Sequence, residues 1–344
     1  MFSLHIQTEP WRSHAKAITD KLPTIVPVAK GNGYGFGLTM LSAEAERLGC
    51  DTLAVGTLDE APMVHDAFRG DVLVLTPWHP AIDPEPPTDD RLVLTASSLE
   101  SVRALAGHGR RVVVELLTSM RRFGLDEDGI AAALPDIKRL NLSGFALHLP
   151  IDDGEHTRVD EISSWVTTLR RHRLPTDTLW VSHVSEGELD TLHRRHPQTV
   201  FRPRIGTALW LGARDTYRAR GVVLASHLVR RGQRFGYRQR RAPGEGHLLV
   251  VGGGTSHGVA LAAPRAVTGP LPRIKLLAEG GLEAGGRSLS PFYVAGRRRW
   301  FAEPPHMQVS MIWLPADVPA PVVGETVEVD VRMTTATFDR VILH

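Results

Sequence analysis

The chain of 344 residues has one cysteine, Cys50. A lone thiol excludes an internal disulfide framework and a cysteine-based metal site, and it suits a reducing compartment. It closes the helix-like run AERLGC and reads as packed rather than reactive. Lysine is also scarce: Lys16, Lys21, Lys30, Lys138 and Lys275 are the full set. Arginine supplies most of the positive charge, and a guanidinium cannot form an imine, so any imine chemistry must fall to one of those five amines. The net charge of +2 leaves no basic excess with which to track a phosphate backbone, which argues against a nucleic-acid partner. No apolar run reaches the length of a membrane span, and MFSLHIQTEPWRSH lacks the basic region and long apolar stretch of a signal peptide. A soluble, cytoplasmic protein without a membrane partner is expected.

What the chain does have is alternation. From about Thr24 to Trp210, short apolar runs (TIVPVAK, TLAV, DVLVL, RLVLTA, RVVVELL, SGFALHL, TLWVS, TVFRPR) alternate with helical patterns such as LTMLSAEAERLG, LDEAPMVHDAFRG and SEGELDTLHRRH. Asp59 and Ser97 are candidate helix caps. A doubly wound sheet would use the same alternation, but eight strands each followed by a helical segment favour a (β/α)8 TIM-type barrel. After about Arg220 the texture changes to strand-like runs between Gly- and Pro-rich turns, among them GVVLASHLV, HLLVVGG, PRIKLLA, PFYVAG and MQVSMIWL, the pattern of a C-terminal all-β domain. The expected division is residues 1–218 and 219–344, with FSLHI able to lend the second domain a strand. The basic run GRRRW around Arg298 reads as a solvated loop.

In such a barrel, chemistry gathers at the C-terminal ends of the strands. Lys30 closes the first strand, Arg122 follows the fifth, His148 ends the sixth, Ser182, His183 and Ser185 follow the seventh, and Arg204 ends the eighth. Lys30 in VPVAKGNGYGFG is placed to bind an aldehyde cofactor covalently, and pyridoxal 5′-phosphate is the usual one. The turn RIGTALWLG offers the amides of Ile205 and Gly206 to its phosphate, and Tyr34 could add a hydroxyl or pack near its ring.

VPVAKGNGYGFG resembles the cofactor-lysine motif of the alanine racemase family. AERLGCDTLAVGTLDEAPMV, LLTSMRRFG, SGFALHLPIDDGE, RPRIGTALWLG, RRGQRFGYRQRR and HMQVSMIW resemble other stretches of that family in the same order. The resemblance implies a head-to-tail homodimer with two composite active sites, acting on an amino acid or an amino-acid derivative. It gives Lys30 the cofactor linkage and proton transfer on one face of the substrate. Arg204 would meet the pyridine nitrogen, Arg122 the cofactor phenolate and the substrate, and His148 would flank the ring. Ser185, Ile205 and Gly206 would hold phosphate, and Met311 of the second copy would lie near the substrate carboxylate.

Three departures from the family bear on activity. Glu115 stands where the family commonly has a carbamylated lysine, so it could balance Arg122 without modification. VVGGGTSHGVAL contains no tyrosine where the family keeps its second base; Gly254 or Thr255 falls there, and His257 is the nearby candidate. DVRMTTATFDRVILH lacks the tyrosine that narrows the family's substrate entrance, so a preference for small amino acids does not carry over. An amino-acid racemase is the leading expectation. A pyridoxal-phosphate decarboxylase or lyase, or a catalytically degenerate cofactor-binding protein, are the alternatives.

Overall fold

The computed structural model describes residues 1–83, 85–152, 157–261 and 288–344. The chain parts into two compact units. One holds Arg12–Gly33 and Gly37–Gly212; the other holds Met1–Trp11, Tyr34–Phe36 and Ala213–His344. Strand β1 (Phe2–Ile6) and helix α1 (Thr8–Lys21) open the chain.

Eight parallel strands build the first unit: β2 (Val26–Pro27), β3 (Thr52–Val55), β4 (Asp71–Val74), β5 (Leu92–Ala96), β6 (Arg111–Leu116), β7 (Asn141–Leu147), β8 (Thr178–Ser182) and β9 (Val200–Ile205). They pair in the order β2-β9-β8-β7-β6-β5-β4-β3. A parallel bridge between Val28 and Ala54 brings the first strand back to the second, so the sheet nearly closes into a TIM-like barrel. Helices α2 (Leu38–Arg47), α3 (Leu99–Leu105), α4 (Glu127–Ile137), α5 (Arg158–Arg171), α6 (Glu186–Arg195) and α7 (Thr207–Leu211) return the chain between or after strands.

Three local expectations differ from the structure. Not every strand is followed by a helix: among the described residues 75–91 there is none, because Pro77, Pro80, Pro86 and Pro87 deny the backbone the donors a helix needs. The α3 cap is Ser98 rather than Ser97; its hydroxyl accepts from the Ser101 amide and closes a capping box. Asp59 lies inside a 3-10 turn, Leu58–Met63, that follows Thr57. Cys50 is half-buried, and burial with the neighbouring Asp51 charge pushes its thiol up to about 11, so it stays protonated and inert.

The second unit contains β10 (Tyr217–Val229), β11 (Arg234–Phe235), β12 (Arg240–Arg241), β13 (Gly246–Gly252), β14 (Leu289–Val294), β15 (Arg297–Phe301), β16 (Val309–Pro315), β17 (Thr326–Val329) and β18 (Arg340–Leu343). Strands β13-β16-β15-β14-β17-β10 form one sheet, and the additional pairing of β13 with β10 closes it. β1 adds to β10 antiparallel and β18 adds to β1 in parallel. The core is aliphatic and aromatic, with Phe2, Leu249, Phe292 and Ile312 fully buried. The run GRRRW is a strand, not a loop. Ala295 and Gly296, both at positive φ, turn β14 into β15, and alternation buries Phe301 while the arginines stay at the surface. The strand expected at PRIKLLA lies outside the described residues. Among the described residues, no helix is long and apolar enough to cross a membrane.

Candidate active site

A strand reverses side-chain direction at every residue, so a residue two positions beyond an inward-facing one also faces inward. The inner core of the barrel is formed by Val26, Val28, Ala54, Leu73, Val93, Val113, Ala146 and Trp180. Two positions further along each strand stand Lys30, Gly56, Leu75, Thr95, Glu115, His148 and Ser182. β9 pairs Arg204 with Ser182 and so adds Arg204 to the same layer. An apolar layer thus supports a layer rich in titratable groups at the C-terminal ends of the strands. The ring is a consequence of period two applied to eight parallel strands.

Arg204 is the deepest cation. It is 9% exposed, and its guanidinium donates to the Leu147 carbonyl at 3.0 Å. Its Nε is buried and has no protein acceptor among the described residues. Burial lowers its pKa to about 10, with Glu115 opposing the shift and Arg122 adding to it, so it remains a cation at neutral pH. Glu115 is 3% exposed, which sets aside a solvent-facing role for it. Burial raises the carboxyl pKa, and Arg204 and then Arg122 pull it back down.

The Lys30 amine has its pKa lowered by desolvation, then by Arg122 and Arg204, against an opposing pull from Glu60. Glu60 was not legible as a site residue. Its carboxylate accepts from the Gly31 amide at 2.9 Å and the Gly56 amide at 2.7 Å, fixing the backbone immediately after Lys30. A Cβ on Gly56 would sit 2.9 Å from that carboxylate and 3.1 Å from Lys30 Cβ, so the close approach needs glycine.

His148 is held neutral. Its pKa falls to about 3 through desolvation first and then the Arg204 and Arg122 charges, with His183 and Lys30 adding to them. Its Nδ1 lies 3.1 Å from Ser182 Oγ, which also accepts the Leu149 amide at 3.0 Å. The His183 ring meets it edge-on at 5.4 Å between centroids, from a backbone at φ 57°.

Arg122 is exposed on the loop after β6, its guanidinium 5.3 Å from the Phe123 ring centre. That loop is anchored at several points. Thr118 Oγ1 donates to the His148 carbonyl at 2.6 Å, and Glu161 accepts from the Ser119 amide at 2.5 Å and its hydroxyl at 2.9 Å. The chain then returns against β6 through a bridge between Leu116 and Leu125. Gly124, at φ +120°, permits the return: a Cβ there would fall 2.4 Å from backbone atoms of Leu116 and Leu117. Gly124→Ala is therefore expected to cost about 2–3 kcal/mol in urea unfolding. Because the strain lies in the backbone, it should also displace Arg122.

The structure brings Lys30, Arg122, His148 and Arg204 into mutual electrostatic range. Ile205 ends β9 and Gly206 caps α7. Ser185 caps α6, and its amide and hydroxyl both go to Glu188, at 2.7 and 2.6 Å. The remaining candidates belong to the other unit. Tyr34 is buried with its backbone at φ 53°. Met311 lies on β16, opposite Val250. His257 is 5% exposed, and both its ring nitrogens are engaged. Nδ1 accepts the Gly254 amide at 3.2 Å, and Nε2 lies 3.1 Å from Asp339, which also accepts the Phe2 amide at 2.7 Å. With Phe2 tilted against it at 5.3 Å between ring centres, His257 has the bonding of a structural residue: its Nδ1 is open only if the Gly254 bond is given up.

Comparison with known proteins agrees with this architecture. The family model described as "Alanine racemase, N-terminal domain" matches residues 6–213. An alanine racemase of Nitratidesulfovibrio vulgaris is 30% identical over 118 residues, and the match spans 33% of this chain and 32% of that relative. The structure of alanine racemase from Bartonella henselae with covalently bound pyridoxal phosphate superposes with a TM-score of 0.69 at 16% identity, covering 100% of this chain and 99% of that one. A histidine racemase from Leuconostoc mesenteroides gives a TM-score of 0.66 at 18% identity, covering 99% of this chain and 96% of that one. The two-unit fold is thus that of the racemases, and with a family model matching well over half its length the chain belongs to the alanine racemase family.

Proposed function

We propose that the protein is an amino-acid racemase, an isomerase that holds pyridoxal 5′-phosphate on Lys30 and works as a homodimer with composite active sites. The observation that carries this reading is the barrel-mouth ring, in which an amine of lowered pKa shares a site with a buried guanidinium whose Nε lacks an acceptor. The residues fit the cofactor. Lowering the Lys30 pKa raises the fraction of free amine, the form that attacks an aldehyde. A guanidinium only donates, so Arg204 suits an unprotonated pyridine nitrogen. Neutral His148 flanks the ring without adding charge to a site already holding Lys30, Arg122 and Arg204. The backbone at Ile205 and Gly206 takes the phosphate, since the Ser185 hydroxyl is already committed to Glu188. Tyr34, four residues along the chain from Lys30, would add a hydroxyl to the phosphate or pack near the ring.

Bound pyridoxal phosphate supplies one thing, delocalisation of the electron pair left when the substrate Cα loses its proton. The protein does the rest. Lys30 moves a proton at Cα on one face. Arg122 and Met311 of the second copy orient the substrate carboxylate. Glu115 offsets the Arg122 and Arg204 charges in the place of the family's modified lysine. The bonding of His257 favours a second reading, a decarboxylase or lyase, in which no base is needed on the far face.

The deciding experiment is exchange of Cα hydrogen with deuterated water across a panel of L- and D-amino acids. A racemase exchanges and interconverts both enantiomers of its substrate. Release of CO2 or a cleaved side chain without interconversion assigns the second reading. A coloured protein that does neither is a binder.

A further inference from the structure

Racemisation needs a proton acceptor on each face of Cα, and the position of the family's tyrosine is held here by Gly254 or Thr255. The chain places another group beside them. The Thr255 amide donates to the His306 carbonyl at 2.8 Å, and the Ser256 amide to the Met307 carbonyl at 3.0 Å. His306 Nε2 lies 2.7 Å from Glu303 Oε1. Glu303 is 2% exposed, and its other oxygen accepts the Tyr237 amide at 2.9 Å. Gly236, at φ +71°, lets the chain pass: a Cβ there would fall 2.1 Å from the Glu303 carboxylate. The Tyr237 ring lies tilted against the imidazole, 4.7 Å between ring centres. His306 borders a cavity of about 400 Å³ together with Thr255 and Arg238, and a second of about 360 Å³ together with Met311.

A carboxylate fixed by its own bonds holds the Nε2–H, which leaves Nδ1 as the proton acceptor, an arrangement that orients and strengthens a general base. His257, twice bonded within its own fold, offers neither nitrogen. We propose that His306 of the second copy, which lines one cavity with that copy's Met311, is the catalytic base on the face of the substrate opposite Lys30, with Glu303 as its positioning residue. The proposal rests on the racemase reading. In one direction Lys30 takes the Cα proton, and the electron pair of the broken C–H bond forms a new one with the proton of the His306 imidazolium. The reverse direction exchanges the two roles, and no oxidant or reductant is involved.

The test uses the cofactor-loaded enzyme and the amino acid that the exchange panel identifies. His306→Asn is expected to keep its cofactor colour and to exchange Cα hydrogen of one enantiomer, while exchange of the other and interconversion fall roughly 100-fold or more. A second readout is independent of turnover. Nitrogen NMR of the imidazole, assigned by its loss in His306→Asn, should show the Nε2–H tautomer in the protein as purified and a mixture of the two tautomers in Glu303→Gln. Equal exchange of both enantiomers in His306→Asn, or a tautomer unchanged in Glu303→Gln, overturns the proposal and leaves the racemase reading standing. If the wild-type enzyme exchanges neither enantiomer, the racemase reading falls and this proposal falls with it.

Discussion

Lys30→Ala is expected to yield a folded, colourless protein whose turnover is lower by roughly 10⁴-fold or more, because covalent attachment and proton transfer at Cα are lost together. The residue sits where the chain leaves β2, with its backbone secured by Glu60 rather than by its own side chain. Lys30 is exposed as a residue, although the barrel mouth partly desolvates its amine, so removal costs folding little and the loss should be chemical and not structural. Lys30→Arg separates the two properties of the side chain. It keeps a cation beside Arg122 and Arg204 but has no amine to attach the cofactor, and it should be as colourless as alanine. Visible absorption after incubation with pyridoxal phosphate and dialysis gives the readout. A Lys30→Arg protein that retains the absorption of the attached cofactor would show that another residue holds it, and the assignment of the site would be lost.

The barrel ring was legible because it follows from periodicity. Once Val28, Val113, Ala146 and Trp180 are read as inward residues, Lys30, Glu115, His148 and Ser182 follow two positions on, and Arg204 joins through its register with Ser182. Burial of Glu115 follows from the same count. Glu60 was not legible, because its bonds run to two glycine amides in separate loops and no spacing announces that. Ser185 was half legible. Ser185-x-x-Glu188 is the pattern of a capping box, and that pattern already commits its hydroxyl. The histidines of the β unit show the limit most clearly. His257 and His306 both lie in turns next to glycine or proline, and nothing local separates them. What separates them is Asp339, which ties one into the fold from 82 residues away, and Glu303 with Tyr237, which leaves the other bordering a cavity. The GRRRW strand was hidden for a different reason: its arginines sit at solvent-facing positions, and only Phe301 carries the apolar half of the pattern.

Arg204→Met should convert the buried counter-charge into a pH-dependent fault. Burial raises the Glu115 pKa above its ordinary 4.5, and the Arg204 guanidinium is the largest force opposing that rise. Methionine keeps length and removes charge, so the carboxyl keeps its burial, loses its principal attraction and climbs further. A raised folded pKa means that, between the unfolded value and the folded one, the native protein binds a proton that the unfolded chain has released. Stability therefore falls as pH rises through that window, by at most about 1.4 kcal/mol per pH unit for one group. Urea unfolding from about pH 5 to about pH 8 should show this slope in Arg204→Met and a shallower one in the wild type. Adding Glu115→Gln should remove it, since a neutral pair replaces a broken one. Glu115→Gln alone should destabilise without the slope, because it leaves the buried guanidinium beside Arg122 with no anion. The same Arg204→Met protein should release pyridoxal phosphate more readily, having lost the donor assigned to the pyridine nitrogen. If its stability profile matches the wild type, Glu115 already carries its proton in the native protein, and the balance of charge at the barrel mouth must be assigned to Glu60 instead.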